Sequence, residues 1–175
     1  LVRHLNQGEK PMHDKVFYVE KEAEGIVVES SVQYIEEIDI REISFANNIK
    51  TPDGGMHLTG FRTALTRTIN DYARKNNIIK ENEDNFTGDD VREGMTAVIS
   101  VKLREPQFEG QTKAKLGNPE ARTAVESVFG EAFAFFLEEN PGDARAIVSK
   151  VMLALKARKA AKAAKESVLR KGVLE

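Results

Sequence analysis

An α+β domain ending in a projecting helix is predicted by three features of the sequence. These are a strand-rich first third, a switch to helical spacing near Leu58, and a lysine- and alanine-rich C-terminal stretch. Val16-Phe17-Tyr18-Val19 is a β-branched and aromatic run. Glu24-Gly25 supplies a turn before Ile26-Val27-Val28 and Ser31-Val32-Gln33-Tyr34-Ile35. Arg41 to Ala46 alternates polar and apolar residues, and these strands are expected to form one curved meander. Leu58, Phe61, Leu65, Ile69 and Tyr72 then draw one apolar stripe on a helix, with Arg62, Arg67, Asn70 and Arg74 off it. Pro52-Asp53-Gly54-Gly55 provides the turn before that helix and permits positive φ. The helix is expected to end near Asn76-Asn77, and the polar segment from Lys80 to Asp90 reads as a loop.

Met95 to Leu103 is nearly continuously apolar, which predicts a central strand with both faces covered. A second helix is expected from Pro119 to Leu137, capped by Asn118, with Ala121, Val125, Val128, Phe129, Ala132, Phe133 and Phe136 facing inward. Asn140-Pro141-Gly142-Asp143 breaks it and starts the last helix, whose stripe is Ile147, Val148, Val151, Met152 and Leu155. Beyond Leu155 helix propensity persists without apolar surface, so the helix must project or meet a partner. The expected division is a body over residues 1–142 and a basic helix over 143–175.

A chain of 175 residues, 41% hydrophobic and 31% charged, suits one well-buried soluble domain. The absence of cysteine excludes disulfides, thiolate metal sites and cysteine nucleophiles. His4, His13 and His57 stand in no metal-ligand spacing. No apolar run approaches the roughly 18 residues of a membrane span, and no signal peptide is visible, so a cytoplasmic protein without membrane contact is expected. The start at Leu1 and the stop after Lys171-Gly172-Val173-Leu174-Glu175 read as cuts in a longer polypeptide. Charge is unevenly placed. Lys150, Lys156, Arg158, Lys159, Lys162, Lys165, Arg170 and Lys171 oppose only Glu166 and Glu175, giving the tail +6 in a chain of net −2. Such a tail reads as a solvated helix end or as a surface for a polyanion.

Three segments bear on chemistry. Gly110-Gln111-Thr112-Lys113 follows the predicted central strand, where side chains can be held firmly yet stay exposed. A lysine ammonium there suits a terminal phosphate and a glutamine amide can donate beside it, although locally a solvated loop lysine is the simpler reading. Asp53-Gly54-Gly55 before a helix could bind an anion, but it lacks the lysine of a P-loop and reads as a structural turn. His57 beside it reads as a packed or hydrogen-bonded histidine rather than a general base. Gly88-Asp89-Asp90-Val91-Arg92-Glu93-Gly94 has too few alternating carboxylates for a divalent cation and reads as an Asp–Arg network before the central strand.

In chain order, Asn47 to Phe61, Thr87 to Gly94 and Gly110 to Lys113 closely resemble the transducer domain of the bacterial type IIA topoisomerases, the second domain of the ATPase region in the B chains of DNA gyrase and topoisomerase IV. The resemblance covers nearly the whole chain, and its motifs leave the choice between the two enzymes open. It implies a ribosomal protein S5 domain 2-like fold with a left-handed β-α-β crossover. It also implies that Gln111 and Lys113 contact the γ-phosphate of ATP bound mainly by a preceding domain, with Lys113 as the catalytic sensor. Mg²⁺ would belong to the full-length enzyme and not to this segment, which alone is expected neither to hydrolyse ATP nor to bind it tightly.

Implied partners are double-stranded DNA, the gyrase A or topoisomerase IV A protein, and a second copy of the full-length protein. Lys156, Arg158, Lys159, Lys162 and Lys165 become candidate DNA contacts, sequence-independent and salt-sensitive. Where the family usually has threonine this chain has Met56, so the helix cap is expected elsewhere, at Asp53. Mismatch-repair and chaperone ATPases also use a lysine from a second domain, but Gly54 to Phe61 and Gly88 to Gly94 fit topoisomerases better. The reading from another class is a free-standing RNA- or ribosome-binding domain, which would need an exposed basic or aromatic sheet face.

Overall fold

A computed structural model describes residues 1–174 of the chain, with side-chain exposure defined through Val173. Strand β1 (Phe17–Ala23) and strand β2 (Ile26–Tyr34) form an antiparallel hairpin. Glu24 and Gly25 both take positive φ, 52° and 80°, as a two-residue hairpin turn requires. The two apolar runs expected on either side of Glu29 are one continuous strand.

The expected meander is not what forms. Strand β3 (Arg41–Ala46) does not pair with β2; both flank strand β5 (Met95–Lys102), and the sheet order is β1-β2-β5-β3-β4, with β4 at Ile49–Lys50. β3 runs parallel to β5, so a crossover must join them. Helix α2 (Met56–Lys75) supplies it. An alternating strand carries no mark of its neighbour, which is why β3 looked like the next turn of a meander.

β5 is central, but its two faces differ. Met95, Ala97, Ile99 and Val101 point into the core, whereas Val98 and Ser100 are half-buried and Lys102 is exposed. The second face is closed only at one end, beneath the short helix α1 (Val2–Leu5) and the residue after it. There Asn6 donates to Gln33 Oε1 at 3.0 Å and accepts from Thr96 Oγ1 at 2.6 Å.

Helix α2 and helix α4 (Pro119–Glu139) cover the core face. Phe17 meets Phe129, Phe133 and Phe136 edge-on, and Phe61 lies 4.7 Å from Phe129 between ring centroids. The stripe Phe61, Leu65 and Ile69 is fully buried, with Leu58 and Tyr72 at its rim. Asn70, expected off the stripe, is buried as well. Its amide donates to Phe86 O and accepts from Phe86 N, pinning the segment after α2 onto the helix. That segment is not loop throughout: Thr87 caps a helix α3 (Gly88–Arg92) through a reciprocal capping box with Asp90.

Pro119 opens α4 as predicted, but the Asn118 side chain does not cap it. Asn118 instead accepts from Gln107 N at 2.6 Å and donates to Glu105 O and Glu120 Oε1. Gly55 occupies the cap position of α2, and neither Asp53 nor any other side chain bonds there. Helix α5 (Pro141–Leu174) buries Ala144, Ile147, Val148, Val151, Ala154 and Leu155 against the body. From Lys156 to Val173 every side chain is exposed, a projection of about 27 Å at 1.5 Å per residue.

Candidate phosphate-sensing loop and basic helix

Gln111 and Lys113 sit at the tip of a small hairpin of their own, β6 (Phe108–Glu109) and β7 (Lys115–Leu116). The arms are paired by Glu109 and Lys115, 3.3 Å apart as an ion pair. Gly110 and Lys113 turn the chain with φ of 79° and 56°, a left-handed conformation that is uncommon for lysine. Gln111, Thr112 and Lys113 are all exposed, and Lys113 has no ion-pair partner among the described residues.

The base of this hairpin is fixed although its tip is free. Leu116 is fully buried, Phe108 packs against the core, and Asn118 binds the incoming strand at Glu105 and Gln107. Asp53-Gly54-Gly55 proves to be the other brace. Asp53 N donates to Ala114 O at 2.9 Å, and Leu116 N donates to Gly54 O at 3.0 Å. The glycine turn therefore holds the outgoing arm of the lysine hairpin against the start of α2. Sequence reading placed the turn correctly but missed this role, because more than sixty positions separate the partners in each bond.

His57 is buried in the first turn of α2, with Nε2 3.1 Å from Thr51 Oγ1, which in turn lies 2.6 Å from Ser44 Oγ. Burial lowers its pKa to about 4, so it is neutral and far from solvent, a structural histidine as expected. The folded value lies below the ordinary 6.5, so the unfolded chain takes up the proton first as pH falls. Stability is full above pH 6.5, declines toward about pH 4 and then levels, a loss of about 3 kcal/mol from this group. A thermal-unfolding series over that range is expected to fall less steeply for His57→Asn than for the parent chain. An unaltered slope would mean that His57 protonates freely in the fold.

Asp89 and Arg92 form the expected pair at 2.9 Å, but Asp90 turns elsewhere. It is 3% exposed, accepts from Thr87 N at 2.9 Å, and receives Arg158 Nε and Nη2, each at 3.1 Å. Burial alone would raise its pKa; the Arg158 and Thr87 hydrogen bonds outweigh this and hold the carboxyl below the usual value. Among the other candidate cations of α5, Lys159 lies 3.4 Å from Asp84, while Lys156, Lys162 and Lys165 are exposed. Among the described residues, no group of three or more His, Asp or Glu side chains could hold a metal ion. No helix among them is long and apolar enough to cross a membrane.

A family model described as DNA gyrase B matches residues 1–167. The chain belongs to the DNA gyrase B family. The DNA gyrase B protein of Bacillus cereus is 57% identical over 99% of this chain and 43% of its own length. That of Halalkalibacterium halodurans is 53% identical over 99% of this chain and 27% of its own length. The chain thus spans less than half the length of these DNA gyrase B relatives. Among solved structures, the 43K ATPase domain of Thermus thermophilus gyrase B, in complex with an aminocoumarin, matches with a TM-score of 0.87. Its identity is 42%, over 94% of this chain and 44% of that one. The topoisomerase IV ATP binding domain of Francisella tularensis, in complex with a small-molecule inhibitor, matches with a TM-score of 0.77 and 29% identity. The match covers 90% of this chain and 43% of that one. The mixed sheet, with the long helices α2 and α4 on one face, is an α+β arrangement that matches these gyrase B and topoisomerase IV structures.

Proposed function

We propose that this chain couples ATP binding and hydrolysis to clamp closure and DNA strand passage in a type IIA topoisomerase. Gln111 and Lys113 read the γ-phosphate of a nucleotide held mainly by another domain. The observation that carries this reading is the hairpin itself: a free lysine and glutamine on an exposed tip, with a base held by buried Leu116, Asn118 and the Asp53–Gly55 turn. A convex tip can touch one end of a ligand but cannot enclose it. Lys113 is therefore suited to the terminal phosphate, as a compact cation that stabilises negative charge, with the Gln111 amide donating beside it.

The nucleoside site and the Mg²⁺ ligands are assigned to surfaces outside this chain, which is expected to be inactive alone. The body over residues 1–142 carries the sensor, and the segment over 143–175, in α5 (Pro141–Leu174) as far as Leu174, leads to the DNA-cleaving part of a homodimer that also engages the gyrase A or topoisomerase IV A protein. Of Lys156, Arg158, Lys159, Lys162 and Lys165, the lysines at 156, 162 and 165 suit backbone contacts with double-stranded DNA best, because Arg158 is engaged by Asp90 and Lys159 by Asp84. The rival RNA-binding reading is disfavoured by the sheet. Its exposed β1 face bears Glu20 and Glu22, with Glu29 opposite Glu20 on β2, which repels a polyanion.

Lysine acylation mapped by mass spectrometry tests the contact. In the full-length enzyme a non-hydrolysable ATP analogue is expected to shield Lys113 while exposed Lys21 stays reactive. Equal labelling of Lys113 with and without the analogue would sink the proposal.

A further inference from the structure

From Lys156 to Val173, α5 buries no apolar side chain, and its last grip on the body among the described residues is polar. Arg158 reaches Asp90 with two guanidinium nitrogens, and Lys159 faces Asp84 one residue later. The acceptor is built rather than incidental. Asp90 is buried at 3% exposure and locked in the capping box with Thr87, and the next residue, Val91, is buried and accepts from Tyr34 Oη. A bidentate arginine on a fixed carboxylate sets direction as well as distance.

The joint also lies at a telling place in the chain. The helix that carries Asp90 runs through Glu93-Gly94 directly into β5, the central strand. β5 spans about 25 Å at roughly 3.3 Å per residue, and its far end leads through Leu103–Gln107 into the Gln111–Lys113 hairpin. One paired strand thus joins the sensing loop at one end to the helix joint at the other.

We infer that Asp90 and Arg158 are positioning residues that fix the direction of the projecting helix, so that a movement of the body is passed to it rather than absorbed at Lys156. The coupling half of this inference rests on the proposed function; the joint itself does not. Two experiments separate them. Because the chain contains no cysteine, spin labels can be placed cleanly at exposed Glu131→Cys and Ala164→Cys, and their distance distribution measured by pulsed dipolar spectroscopy. Asp90→Asn and Arg158→Gln are each expected to broaden that distribution. Arg158→Lys, which keeps the charge but not the fork, is expected to fall between. Arg158 stands on an exposed helix turn and glutamine has similar helix propensity, so Arg158→Gln leaves the core untouched.

In the full-length enzyme, Asp90→Asn, at the partner that is no candidate DNA contact, is expected to lower strand passage per ATP hydrolysed by about tenfold while ATP turnover stays near the parent rate. An unchanged distance distribution overturns the joint. A broadened distribution with unchanged strand passage per ATP overturns its part in coupling. Failure of the underlying functional reading appears elsewhere, as unaltered turnover in Lys113→Ala, and leaves the distance measurement decisive.

Discussion

Lys113→Ala in the full-length enzyme is expected to lower ATP turnover by about 10²–10³-fold, with KM for ATP changed far less. A lysine on a convex tip contributes little to holding the nucleoside, which lies elsewhere, so its removal leaves ground-state affinity largely intact. Its ammonium matters when negative charge shifts across the transferring phosphoryl group in a site closed from water. Gln111→Ala removes a neutral donor to the same charge and is expected to cost about tenfold. Backbone geometry supplies the control. Lys113 holds a φ of 56°, which alanine tolerates poorly and glycine freely. Lys113→Gly therefore relaxes the turn while removing the same charge. Equal loss in both variants assigns the effect to the ammonium; recovery in the glycine variant assigns it to loop shape. Steady-state ATPase with purified enzyme at saturating DNA reads both, and wild-type turnover in either variant removes the sensor role.

How much of this was legible before the structure depends on the range over which each feature is encoded. The α2 and α4 stripes were readable because a helix repeats its burial every three or four residues, and Phe61, Leu65, Ile69, Val125 and Phe129 repeat it without interruption. The β1–β2 hairpin was readable because Glu24-Gly25 writes its turn locally. The sheet order was not, since the parallel pairing of β3 with β5 joins residues more than fifty positions apart and leaves no trace in either strand's alternation. Helix α3 did leave a local signal, Thr87 three residues before Asp90, but five residues beside two glycines look like a loop. The candidate site divides in the same way. The Gln-x-Lys pattern, read with its neighbouring motifs, picked out Gln111 and Lys113. The hairpin beneath them has two-residue arms too short for any period, and the Asp90–Arg158 pair bridges 68 positions.

Gly55→Ala is expected to destabilise the fold by about 3–5 kcal/mol. Two costs combine. Gly55 has φ of 131°, a region that L side chains rarely adopt, and a Cβ there would stand 2.3 Å from Leu116 O and 2.5 Å from Leu116 N. Both neighbours are backbone atoms of a fully buried residue, so no rotamer change can relieve the contact. The start of α2 and the outgoing arm of the Gln111–Lys113 hairpin must part instead, breaking the bond from Leu116 N to Gly54 O. At roughly 2–4 °C per kcal/mol for a chain of this size, a fall of about 10 °C in Tm follows. Gly110→Ala separates strain from collision. Gly110 also has positive φ, 79°, but nothing lies within 4 Å of its would-be Cβ, so only the conformational cost of about 1–2 kcal/mol applies. Calorimetry of the two variants should therefore give a large and a small shift. In the full-length enzyme Gly55→Ala should also depress ATP turnover when assayed well below its lowered Tm, because the lysine hairpin loses its brace. Normal turnover in a destabilised Gly55→Ala enzyme would show that the Asp53–Gly55 turn supports the fold without positioning Lys113.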